Sequence, residues 1–162
     1  APRNTDGFSE GDKTMAVGSV VIPRSVEAVG VPGRLAEVLG RLLFALVFLV
    51  SVPSLFSPNT IGYAAAHGVP LASIAVPVSG IIELLGGLSI LLGYHAKIGA
   101  WLIVLFLIPV TLTMHNFWAV QDPMQAQMQM IMFMKNLSIL GAALIISQLG
   151  VGPFSLDARS PR

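Results

Sequence analysis

The chain has 162 residues, of which 54% are hydrophobic and 10% charged, with a mean hydropathy of +0.80. A soluble domain carries roughly a quarter charged residues, so these figures exclude an ordinary soluble globule and indicate a single integral membrane domain. A net charge of +1 gives no footing for a nucleic-acid partner. The absence of cysteine excludes disulfide exchange, thiolate catalysis and thiolate-ligated iron–sulfur clusters within the chain.

Residues 1–33 are polar and rich in Gly and Pro, and they lack the apolar core of a signal peptide. They read as a disordered cytoplasmic tail, with AVGSVVIP (16–23) as a short strand or interfacial patch. The sequence begins at Ala1, and Met15 is an alternative start. The membrane domain, 34–150, divides into four apolar segments. The first, 35–56, has Arg34 and Glu37 at its beginning, Arg41 about two turns in, and Pro53 late enough to kink or end the helix. Residues 57–69, with His67, read as a loop.

The second segment, 70–93, is PLASIAVPVSGIIELLGGLSILLG, long enough as a helix to cross a core of about 30 Å. Its ionisable group is Glu83, near the middle. A carboxylate there costs at least ~2.5 kcal/mol on insertion scales, so it must face protein or water. Ser79, Gly80, Gly86 and Gly87 lie three or four positions away and share its face, where small residues let helices approach closely. Pro77 bends the first half. The link Tyr94-His95-Ala96-Lys97 is short enough to force an antiparallel neighbour.

The third segment, 98–120, contains Pro109 and ends in His115-Asn116-Phe117-Trp118. Trp101 and Trp118 stand near its two ends, where aromatic belts sit. Residues 121–127 read as a loop. The fourth segment, 128–149, carries Lys135 and Asn136 in its first half, and 151–162 reads as a second cytoplasmic tail with Arg159 and Arg162. Lys and Arg occur before the first segment, between the second and third, and after the fourth, but not in the other two connections. That pattern places both termini in the cytoplasm. The fold class is therefore an all-α integral membrane protein, a four-helix transmembrane bundle with both ends inside.

Counting residues from the segment ends sets depths. Glu83 lies about 15 Å from the cytoplasmic end of its helix and Arg41 about 10 Å from its own. Lys135 lies about 12 Å and His115 about 7 Å below the outer ends of theirs. Glu83 is thus within reach of either cation, while His115, Asn116, Lys135 and Asn136 share an outer layer.

These residues, taken together, resemble the DoxX family of small bacterial inner-membrane proteins. The resemblance covers about 38–150 and rests on four features in order: Arg41 in the first segment, Glu83 followed by Gly86-Gly87 in the second, His115-x-Phe117-Trp118 closing the third, and Lys135-Asn136 followed by Gly141 in the fourth. The chain departs from the family in its first segment. There the family has a small-residue turn ending in Gly and Lys, and this chain has Ser51-Val52-Pro53-Ser54. The resemblance implies a four-helix bundle in the bacterial inner membrane. It also implies kinship with the small membrane subunits of thiosulfate:quinone oxidoreductases and with partners of redox-defence proteins.

A carboxylate, an ammonium, an imidazole and two amides around one cavity suit a quinone head group. On this reading Glu83 relays protons, Lys135 and His115 donate to the quinone oxygens, and Asn116 and Asn136 orient them. Arg41 balances Glu83, and Trp118 borders the site. The partner would be a protein of a redox complex, because the chain shows no flavin, haem or iron–sulfur signature of its own; a homo-oligomer is also open. The alternative is a non-enzymatic anchor or assembly factor whose buried charges only fix helix register. A third reading is copper or small-molecule handling. Met124, Met128 and Met132 are four residues apart, and thioethers suit Cu(I), although methionine is more often an apolar filler. No metal site with familiar spacing is present in the sequence.

Overall fold

The computed structural model describes residues 31–159. They form α1 (Val31–Ser51), a 3-10 turn (Val52–Phe56), α2 (Pro58–Ala66), α3 (Ala72–Leu92), α4 (Ala96–Met114), a second 3-10 turn (Phe117–Ala119), α5 (Pro123–Leu149) and α6 (Leu156–Arg159). No strand occurs among the described residues. Four helices are long and apolar enough to cross a membrane: α1 with its 3-10 extension, α3, α4 with its extension, and α5. The segment 16–23 and the rest of 1–30 lie outside the described residues.

In a bilayer, lipid tails are as apolar as leucine, so helices associate through close packing of small residues rather than through hydrophobic exclusion. The sequence supplies such residues on α3. Gly86 faces the Gly99 carbonyl and Ile103 of α4, and Gly87 faces Phe48 and Leu49 of α1. Gly80 rests against Leu55 and Phe56. On α4, Gly99 meets Ser89. The small face read around Glu83 is therefore the packing seam of the bundle. It draws α1 against α3 and α3 against α4, and α4 in turn packs on α5. Phe48, Ile90, Ile103 and Leu107 fill the interior between them.

The order is an arc, α1–α3–α4–α5. Among the described residues, α1 and α5 do not pack on each other as the neighbouring pairs do. The arc shows in burial too: the apolar windows of α3 and α4 are 33% and 39% buried, against 22% and 17% for α1 and α5.

Several expected boundaries shift. α1 starts at Val31, inside the expected tail, and its α-helical part ends at Ser51 because Pro53 has no N–H to continue the ladder. Residues 57–69 are not a loop. Ser57 accepts a hydrogen bond from Thr60 N at 3.3 Å and Pro58 occupies the first helical position, so α2 begins there. The same device lengthens α5 backward: Asp122 accepts from Gln125 N at 2.8 Å, Pro123 follows it, and the expected loop 121–127 is mostly helix. α4 ends at Met114, which leaves His115–Trp118 outside it.

The largest departure is at the C-terminal end. Residues 150–159 fold back across the bundle rather than trailing from it. Phe154 N donates to Glu37 at 2.9 Å, and Arg41 Nη2 donates to the Phe154 carbonyl at 3.0 Å. Asp157 accepts from His95 N at 2.7 Å and Ala96 N at 3.0 Å. His95 has a left-handed backbone (φ +48°) and offers no side-chain cap, so Asp157 caps α4 from a distant part of the chain. The strap ties α5 to α1 at this end, where their helical faces do not meet.

Candidate functional site

Four elements converge on one cavity of about 160 Å³. α3 contributes Glu83, and α1 contributes Val47, Phe48 and Ser51. Phe106 and Leu107 come from α4, followed by His115 just past its end, and α5 contributes Lys135, Asn136 and Ile139. The apolar members make the walls and floor; the polar members face one another across it.

Glu83 is 2% exposed. Its burial follows from its position on the glycine seam, which turns the carboxyl inward at mid-helix. One oxygen, Oε1, is hydrogen-bonded to the Ser51 hydroxyl, and the other, Oε2, is buried with no hydrogen-bond partner. Ser51 holds a single proton between two acceptors, Glu83 Oε1 and the Phe48 carbonyl at 2.6 Å. When the hydroxyl donates to Phe48, the bond to Glu83 requires the carboxyl to bring its own proton. The pair can therefore hold a proton on either oxygen while keeping its geometry.

His115 is half-buried, and its Nδ1 lies 2.8 Å from Gln129 Oε1 on α5. With Nδ1–H donating to that amide oxygen, the neutral imidazole keeps Nε2 as an acceptor, and gains a second donor when protonated. Lys135 borders the cavity but is exposed on its outer side; its Nζ contacts Met132 Sδ at 3.5 Å. Asn136, next to it, is 7% exposed.

Of the four residues expected to share an outer layer, His115, Lys135 and Asn136 line the cavity and Asn116 does not, and Glu83, expected near mid-depth, joins them there. Arg41 does not join them. The partner of Glu83 is Ser51, and Arg41 lies against Gly93 and Phe154, where its Nε and Nη1 are buried without hydrogen-bond partners. The reason is register. Ser51 marks the level of Glu83 on antiparallel α1, and Arg41 is ten residues earlier, about 15 Å along the axis. Asn116 and Trp118 also fall outside the cavity wall. Trp118 is 60% exposed and packs edge-on against Phe117 and Phe133, with ring centroids 5.2 and 5.9 Å away. Met124 and Met128 are exposed on α5. Among the described residues no three His, Asp or Glu side chains converge as metal ligands would.

Two members were missed from the sequence. Ser51 was noted only as a departure from a family pattern, and the one hint of its role was its place before Pro53, where the helix ends. Gln129 falls at the start of the fourth segment, 128–149, among methionines read as apolar filler, and the alternation of Gln with Met is its only signal.

The sequence family model described as DoxX matches residues 36–116. The inner membrane protein YphA of Escherichia coli (strain K12) is 28% identical over 123 residues, which span 75% of this chain and 87% of YphA. No solved structure matches the chain.

Proposed function

The chain belongs to the DoxX family, and on that footing we propose that it is a bacterial inner-membrane subunit of a redox system, exchanging protons and electrons with the quinone pool. The observation that carries this reading is Glu83 Oε2, a buried acceptor without a partner, aimed into a cavity that also holds an imidazole, an ammonium and an amide.

The donor set fits a quinone head group. A cavity of about 160 Å³ matches the size of an apolar cavity, about 150 Å³, that accepts one benzene ring. Phe48, Phe106 and Leu107 supply apolar surface for the ring's faces. A bound quinone supplies a two-electron, two-proton couple. Toward it, Lys135 and protonated His115 donate to the ring oxygens, and Asn136 orients them. Glu83 and Ser51 hold and pass the protons. Arg41, Asn116 and Trp118 have no part in this assignment. On this reading the electrons come from a partner protein.

The basic residues Arg34, Arg41, Lys97 and Arg159 gather at the end of the bundle that carries the strap, which supports a cytoplasmic reading of that end. The deciding experiment is to purify the protein from its native membrane in mild detergent and assay quinone per chain, in wild type and Lys135→Met. Near-stoichiometric quinone, lost in a folded mutant, supports the reading. No quinone in either removes it in favour of a structural network.

A further inference from the structure

The cavity reaches the surface of the bundle on one side. Two of its lining residues are exposed: Val47 of α1, at 42%, and Lys135 of α5. They belong to two helices that do not pack on each other as the neighbouring pairs do. Among the described residues, the strap from Phe154 to Glu37 and Arg41 bridges α1 and α5 at the other end of the bundle, where α1 begins and α5 ends.

The depth of this opening follows from three independent counts from the opposite end. Lys135 is twelve residues past Pro123 on α5, about 18 Å. Glu83 is eleven residues past Ala72 on α3, about 16 Å. Val47 lies four α-helical and five 3-10 residues before Phe56, about 16 Å. All three stand near the middle of a hydrocarbon core about 30 Å thick, so the opening faces lipid and not water. A lysine exposed there is costly, at least ~2.5 kcal/mol on insertion scales, and the contact of its ammonium is a thioether, a weak acceptor. Hydrocarbon on its exposed side offers the ammonium no polar partner.

We propose that the cavity is filled sideways from the bilayer, between α1 and α5, by an amphiphile with one ring-sized polar head and an apolar tail. The head lies against Lys135 and Glu83; the tail stays in the gap beside Val47 and Ile139. The volume allows a ring and no tail, so the tail has to leave through the gap. This rests on the quinone reading for the identity of the head but not for the route.

The route is tested on the full chain in phosphatidylethanolamine–phosphatidylglycerol vesicles. The probe is a bilayer-soluble phenyl diazirine, whose photogenerated carbene inserts into nearby O–H, N–H and C–H bonds; adducts are mapped by mass spectrometry. Adducts are expected at Glu83, Ser51 or Asn136, and Val47→Trp should reduce them about tenfold while lipid-facing positions such as Ile145 label as before. Val47→Ala, which cannot overpack, should label at least as well as wild type. Interior adducts that are missing, unchanged in Val47→Trp, or reduced in Val47→Ala overturn the lateral route. Adding long-chain ubiquinone separates the two claims. Protection of Glu83 supports both, whereas Val47-dependent labelling that ubiquinone does not suppress keeps the route and removes quinone as the occupant.

Discussion

Replacing Glu83 by methionine should stabilise the protein while abolishing the proton exchange proposed for it. Glu83 is 2% exposed, and its Oε2 has no hydrogen-bond partner. A buried acceptor left unsatisfied costs about 1–3 kcal/mol, and methionine of similar length removes it. The loss is the single bond to Ser51, worth about 1 kcal/mol, and Ser51 is not orphaned because the Phe48 carbonyl remains at 2.6 Å. The net gain is about 1 kcal/mol, consistent with apolar replacements of other buried charged groups. Ser51→Ala supplies the second arm of a cycle. It should cost about 1–3 kcal/mol in wild type, where it strips Glu83 of its partner, and no more than about 1 kcal/mol, the bond to the Phe48 carbonyl, in the Glu83→Met background. The assay is reversible unfolding in mixed detergent micelles, followed by Trp101 and Trp118 fluorescence. A Glu83→Met protein less stable than wild type by 1 kcal/mol or so would show that the acid holds the bundle together, and the reasoning from its unsatisfied oxygen would fail.

Other outcomes follow from the packing. A Cβ at Gly86 would lie 2.8 Å from Ile103 Cδ1 and 2.9 Å from the Gly99 carbonyl oxygen, whereas one at Gly141 meets nothing within 4 Å. Both changes to alanine gain the same helix propensity, so Gly86→Ala should be less stable than Gly141→Ala by about 1–3 kcal/mol in the same unfolding assay. Asp157→Ala uncaps α4 and should cost about 1 kcal/mol, with faster amide exchange at His95 and Ala96. Asn116→Ala lies outside the cavity wall and should leave quinone content within about twofold of wild type, in contrast to Lys135→Met.

Some of the architecture was legible because it depends on local composition. Four apolar runs longer than a bilayer core can only be spanning helices, whatever their neighbours. Glycine at the spacing of one helix face marks a close packing surface wherever that helix lies. The misplaced boundaries belong to the same class. Ser57-Pro58 and Asp122-Pro123 are cap-and-proline pairs in plain view, and weighing them would have started α2 and α5 in place.

What the sequence alone determined is thus the helices, the seam around Glu83 and the place of Glu83 near mid-depth, because depth in a spanning helix is a residue count. Only the tertiary structure decided lateral matters. Whether Arg41 meets the acid depends on helix register, set by Gly87 against Phe48 and Leu49, and that register gave Glu83 to Ser51 and sent Arg41 to the strap. The gap between α1 and α5 depends on the order of helices around the bundle, and the cap on α4 is an aspartate about sixty residues away in sequence. Contacts of that range are fixed by how four helices close on one another, a three-dimensional packing problem that no single stretch of the chain encodes.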